Sequence, residues 1–138
     1  MNSTDLPHST APSLQQRAYN IRRHALIMGQ VQGQGYIGQA LGAADLLAVS
    51  YFHALRYRAD DPDWEQRDRF YLSIGHYAIA LYAALLEAGI LPLDERETYG
   101  ADDSRLPMSG MAAYTPAWRS PAVRWATGWV LRWAPAWG

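Results

Sequence analysis

Gly33, Gly35 and Gly38 satisfy the spacing G-x-G-x-x-G, and Asp60 follows roughly 20 residues later, as a dinucleotide-binding fingerprint requires. That chemistry needs a strand feeding the loop, so that a helix N-terminus points at the pyrophosphate. The residues before Gly33 repeat with a helical period instead, so the pattern predicts a turn between two helices, whose glycines still permit close backbone approach to a ligand. His76 follows Gly75 where a helix is expected to start, and there a ring nitrogen can meet an anion already favoured by backbone amides. A purely structural histidine is the competing reading. Arg67-Asp68-Arg69 reads as a solvated pair of charges organising a turn, with a phosphate clamp as the alternative. His53 reads as a core histidine, and His8 and His24 have no evident partners. The sequence contains no carboxylate pair, nucleophile triad or metal-ligand spacing.

The elements that must position these groups follow from periodicity. Residues 1–13 read as a flexible leader, and Ser13 with Gln16 forms a capping box for a helix running to about Gln32. Leu14, Ala18, Ile21, Ala25 and Met28 make its apolar stripe. A second helix, expected over about 41–55, is apolar almost all the way round and is expected to be buried. The segment 70–73 reads as a short strand, ending where a third helix begins at Gly75-His76. That helix carries one charge, Glu87, and stops at Gly89, so it too reads as core. A short helix is expected over 93–99 and a loop over 101–115.

Length and composition bound the rest. A chain of 138 residues has room for one domain, or part of one, and is small for an enzyme that encloses a large cofactor. At 49% hydrophobic and 18% charged it is globular rather than disordered in type. A net charge of -1 gives no broad attraction to nucleic acid or membrane. The absence of cysteine excludes disulfides and thiolate metal sites and fits a cytoplasmic location. Residues 1–13 lack the apolar run of a signal peptide, and nothing is long and apolar enough to span a bilayer.

Several segments, in order, resemble the start of a transketolase: Ile21-Arg22-Arg23, the Gly-rich loop leading to Gly42-Ala43-Ala44-Asp45-Leu46-Leu47, Arg67-Asp68-Arg69-Phe70-Tyr71-Leu72-Ser73-Ile74-Gly75-His76, and Leu81-Tyr82-Ala83-Ala84-Leu85-Leu86-Glu87-Ala88-Gly89. The string R-D-R-F-x-L-S-x-G-H is specific, and the resemblance covers about 15–115. It implies a fragment that is mostly α, the N-terminal part of an α/β thiamine-diphosphate-binding fold lacking most of its parallel sheet. By resemblance, His76 approaches the diphosphate and thiazolium side of the cofactor, with Gly75, Tyr36 and Gln34 beside it. Family members carry histidines that handle substrate hydroxyls or protons where Tyr36 and Ser109 stand, so this chain departs from the pattern on its substrate side. The loop form G-Q-G-Y-I-G resembles the separate amino-terminal subunits of split transketolases, which act with a second polypeptide.

The implied activity is transfer of a two-carbon ketol unit between sugar phosphates, in the carbohydrate metabolism of the pentose phosphate pathway, using thiamine diphosphate and Mg²⁺. The implied partner is a transketolase C-terminal subunit or a second protomer. The sequence holds no G-D-G motif for a metal-bound diphosphate, and the glutamate that activates the aminopyrimidine belongs to a later half or partner. The chain by itself is therefore expected to be inactive. The alternative is a non-catalytic fragment that keeps only subunit-interaction surfaces.

Residues 14–116 make the family-like domain, and the pattern breaks after Thr115-Pro116. The family continues with a segment like G-M-E-x-x-x-G-S-L-G-x-G-L, whereas residues 117–138 hold five of the six tryptophans. Tryptophan has the single codon TGG, so the neighbouring frame is partly recoverable. Shifted by one nucleotide and with permissible codon choices, the tail back-translates to P-G-M-E-I-S-G-G-S-L-G-H-G-L-G-I-A-V-G-A-C-M-G, the missing family segment. Residues 117–138 are thus expected to be an out-of-frame tail. The competing reading is an interfacial helix with Trp125, Trp129, Trp133 and Trp137 on one side, which Pro135 interrupts.

Overall fold

The computed structural model describes residues 11–61, 64–72, 74–110 and 123–125. The expected leader, apart from residues 11–13, and the tail, apart from 123–125, lie outside the described residues.

Helix α1 spans Leu14–Gln32, and Ser13 caps it by accepting the Gln16 amide N–H at 3.1 Å. Only half of the expected capping box forms, because the Gln16 side chain donates to Asn20 Oδ1 instead. Ala18, Ile21, Ala25 and Met28 are buried at helical spacing, as the stripe predicts, while Leu14 at the helix mouth is exposed. Gly33 ends the helix at φ +70°, its N–H reaching Gln30 O.

Helix α2 spans Ile37–Val49 and then widens into one π-helical turn, Ser50–Ala54. Only one face of α2 is covered: Ala40, Ala44, Leu47 and Ala48 are buried, whereas Leu46 is 53% and Val49 44% exposed. The expectation of an all-round buried second helix is corrected by this one-sided packing. The same geometry corrects His53, which the widened turn leaves at the surface rather than in the core.

Strand β1, Phe70–Leu72, pairs in parallel with β2, Val123–Trp125, in the register Phe70 to Val123 and Leu72 to Trp125. A 3₁₀ turn, Gly75–Tyr77, carries the chain into α3, Ala78–Glu87. Nine consecutive residues from Ala78 to Leu86 are buried, because α3 lies against both α1 and α2. Gly89, at φ +72°, closes the helix through its bond to Leu86 O. A 3₁₀ helix over Leu93–Thr98 packs on α1, and the loop beyond is pinned by buried Tyr99 and Leu106 and by the Gly100 N–H to Leu106 O bond at 2.9 Å. Among the described residues the architecture is mostly α with one short parallel strand pair. No described helix is long and apolar enough to cross a membrane.

Candidate functional site

Loop 33–36 joins α1 to α2, and it is shaped by what lies beneath it. Gly35 has φ +153°, and a Cβ there would stand 3.3 Å from Ile79 Cδ1 and 3.6 Å from the Tyr99 hydroxyl. Backbone conformation therefore favours glycine at this position, and a Cβ would in addition crowd the Ile79 methyl. The loop crosses this floor and delivers Tyr36 to the surface at the mouth of α2.

His76 arrives at the same place from β1, through the 3₁₀ turn that precedes α3. The Tyr36 and His76 rings meet edge to face, with centroids 4.6 Å apart and planes inclined by 80°. The His76 side chain is exposed, so its ring can reach a ligand from solvent while Tyr36 restricts its orientation. Gly75 and His76 are adjacent in the turn, and Gln34 is exposed on the facing loop. Ser109 is exposed on another segment, whose Met108 lies beside Gly100 and near Gln32 at the end of α1. Tyr36 and His76 are thus in contact; among the described residues no such contact ties Gln34 or Ser109 to them.

A groove of about 460 Å³ runs between α2, β1 and α3, lined mainly by apolar groups including Leu46, Leu47, Phe70, Leu72 and Leu81, with Tyr77 at its side. Gly38 and Gly42 also line it, where the missing side chains leave the α2 backbone open.

Arg67 and Asp68 are buried, which corrects the expectation of a solvated pair. Asp68 Oδ2 accepts the Arg56 backbone N–H at 2.8 Å, and its other oxygen accepts from the Arg56 guanidinium at 3.2 Å. Burial pushes the Asp68 carboxyl up, but the hydrogen bonds and charge of Arg56 outweigh it and hold the carboxyl below its ordinary value. Arg67 Nη1 donates to Trp64 O. These contacts staple residues 56 to 68 together and leave the Asp68 carboxylate committed to the fold rather than to a ligand.

A second polar cluster escaped the periodicity. Glu87 Oε1 accepts from Arg17 at 2.8 Å and from Asn20 at 3.0 Å, and Oε2 lies 3.3 Å from His24 Nε2. This clasp joins α1 to α3, and Arg17 also lies 4.3 Å over the Phe52 ring. The one available signal was that Glu87 is the single charge on an otherwise apolar helix.

The Tyr36 and His76 corner suits the anionic end of a phosphate-bearing cofactor, because it offers an exposed imidazole and a loop whose glycine permits close approach. It does not by itself supply a metal centre: among the described residues no three or more His, Cys, Asp or Glu side chains gather to hold an ion.

The profile of the family described as "Transketolase, thiamine diphosphate binding domain" matches residues 14–115. The chain is 80% identical over 104 residues to the putative uncharacterized transketolase family protein y4mO of Sinorhizobium fredii, covering 75% of this chain and 37% of that protein. It is 36% identical over 94 residues to the 6-deoxy-6-sulfo-D-fructose transketolase subunit SqwG of a Clostridium species, covering 68% and 34% respectively. It is 39% identical over 80 residues to a transketolase of Pongo abelii, covering 58% of this chain and 13% of that protein. The matches thus span between about an eighth and somewhat over a third of these relatives.

Proposed function

From the premise that this chain belongs to the transketolase family, in its thiamine diphosphate binding domain, we propose that it presents one wall of a thiamine diphosphate site. Productive chemistry would then require further polypeptide, from a transketolase C-terminal subunit or a second protomer. The observation that carries this reading is the edge-on contact between Tyr36 and His76, which unites the Gly-rich loop with the strand-to-helix corner at an exposed imidazole.

In this reading His76 donates a ring N–H to a phosphoryl oxygen, and Tyr36 fixes the ring's orientation. Gly35 and Gln34 bring the loop backbone close to the ligand, with Gly75 beside the histidine at the start of the 3₁₀ turn. Ser109 occupies the substrate side. When bound, thiamine diphosphate supplies the electron sink for making and breaking a carbon–carbon bond beside a carbonyl, and a Mg²⁺ ion would neutralise its diphosphate. The reaction class is transfer of a two-carbon ketol unit between sugar phosphates, in the cytoplasm and within the pentose phosphate pathway. Residues 117–138 are read as out-of-frame translation. The end of the family match at residue 115 and the crowding of tryptophan beyond it support that assignment.

Calorimetry with thiamine diphosphate and Mg²⁺ tests this reading on the chain and on a variant with the family frame restored after Pro116. The restored protein should bind in the micromolar range, and His76→Ala should weaken its binding about tenfold or more, as expected for loss of a charge-assisted hydrogen bond. The chain of 138 residues should give no heat at micromolar concentration. Failure of the restored protein to bind would sink the cofactor assignment, and micromolar binding by the short chain would sink the claim that it is incomplete. Resequencing the locus checks the frame itself.

A second reading is favoured by the exposure of Leu46 and Val49 beside the apolar groove: a non-catalytic chain that retains only subunit-interaction surfaces. Co-purification with a transketolase C-terminal subunit, without turnover when cofactor is added, is its expected signature.

A further inference from the structure

Tyr99 is fully buried, and among the described residues its hydroxyl has no hydrogen-bond partner. A buried hydroxyl without a partner lowers stability, so one kept at a functional corner points to a partner that arrives in another state. Its surroundings identify that partner. The hydroxyl lies 3.6 Å from where a Gly35 Cβ would stand, directly under the loop that carries Tyr36 to His76. On the other side the Tyr99 ring packs at an angle on Tyr82, with centroids 6.3 Å apart, and Tyr82 is anchored by its own hydroxyl to Pro107 O at 3.1 Å. The next residue, Gly100, is wedged between Met108 and Gln32 at the end of α1, with φ +70° and its N–H bonded to Leu106 O. The phenol ring is therefore held by Tyr82 and by the pinned Gly100 turn, and its hydroxyl lies against loop 33–36. Burial pushes the phenol up to about 12, with the nearby Tyr36 phenol adding to the effect, so Tyr99 stays protonated and able to donate at neutral pH.

We infer that Tyr99 is a positioning residue for the Tyr36 and His76 corner, its hydroxyl donating to the backbone of loop 33–36 when that loop settles onto a diphosphate-type anion held at His76. The inference rests on the site reading given above and extends it to a residue that touches no ligand. Gly35 has no side chain between its backbone and the hydroxyl, so the backbone of the loop can approach it closely.

The test compares Tyr99→Phe, His76→Ala and the unaltered 138-residue chain. Inorganic diphosphate at millimolar concentration is followed by ³¹P NMR of the diphosphate itself, and stability is followed separately by urea unfolding. Tyr99→Phe keeps the packed ring and removes only the hydroxyl. It should leave the unfolding midpoint unchanged or higher and weaken diphosphate binding roughly fivefold to tenfold, the loss of one hydrogen bond. A lowered midpoint would mean that the hydroxyl is already bonded in the free chain, which overturns the inference. Diphosphate binding unchanged in Tyr99→Phe but lost in His76→Ala overturns it too, while leaving the site reading intact. Absence of diphosphate binding by the unaltered chain overturns the inference, while the site reading stands or falls with the frame-restored protein.

Discussion

Glu87 shows how one residue can hold two helices together. Its carboxylate is nearly enclosed and takes hydrogen bonds from Arg17 and Asn20 while facing His24, so truncating it strands a guanidinium and an imidazole that folding has partly desolvated. Glu87→Ala is expected to lower stability by about 2 kcal/mol, read from urea unfolding, because removing one partner of a part-buried charged network costs more than the net worth of each bond. His24 adds a pH dependence. Burial, its largest influence, favours the neutral ring and outweighs the hydrogen bond to Glu87, while Arg96 and Arg23 push the same way, so His24 ionises below the ordinary histidine value of 6.5. The unfolded chain takes up its proton nearer that value. The contribution of the neutral ring is thus fully present above about 6.5 and is lost as pH falls through the lowered folded-state value. The unfolding midpoint should fall between about pH 7 and about pH 5, and His24→Gln should flatten that slope.

At the scale of elements, the three glycines of the G-x-G-x-x-G spacing turn out to do different work. Gly33 ends α1 in the left-handed region with open space around it, Gly35 is pressed onto Ile79 and Tyr99 at positive φ, and Gly38 sits within the first turn of α2 with nothing near a would-be Cβ. Only the middle one is required by both conformation and contact. Gly35→Ala should destabilise the chain by about 1–3 kcal/mol, whereas Gly38→Ala should be neutral or stabilising by up to about 1 kcal/mol, since alanine is the better helix former. Thermal unfolding of the two variants checks the contrast, and equal losses would contradict the geometry. The strand-to-helix corner belongs to the same scale. Without the 3₁₀ turn Gly75–Tyr77, the His76 ring would not be turned toward Tyr36.

For the molecule as a whole, α3 is the most enclosed of the three described α-helices. Its fully enclosed run from Ala78 to Leu86 contacts α1 on one side and α2 on the other, so the small core depends on it. Leu81 is fully buried and also lines the floor of the groove. Leu81→Ala is expected to cost about 2–5 kcal/mol, a large share of the roughly 5–15 kcal/mol that holds a domain together. A loss of the cooperative transition in circular dichroism, or a midpoint lowered to match, checks this. Leu46 lines the groove beside Leu81 and is exposed, as is Val49 three residues further along α2, and such a surface is where further polypeptide would gain most by burying apolar area.

Much of the local structure was written in the sequence itself. The Ser13 cap, the stripe from Ala18 to Met28, the stop at Gly89 and the apolar run of α3 up to Glu87 depend on neighbours within about four residues, and the order of segments placed the chain in its family. What tertiary structure decided depends on residues far apart in the chain. Arg17 and His24 reach Glu87 across 70 and 63 residues, Tyr99 rises under Gly35, β1 finds its parallel partner at Val123–Trp125, and the π-helical turn sends His53 outward. Periodicity says which face of a helix is apolar but not which element will cover it. For that reason α2 looked buried on all sides until only one side proved to have a neighbour.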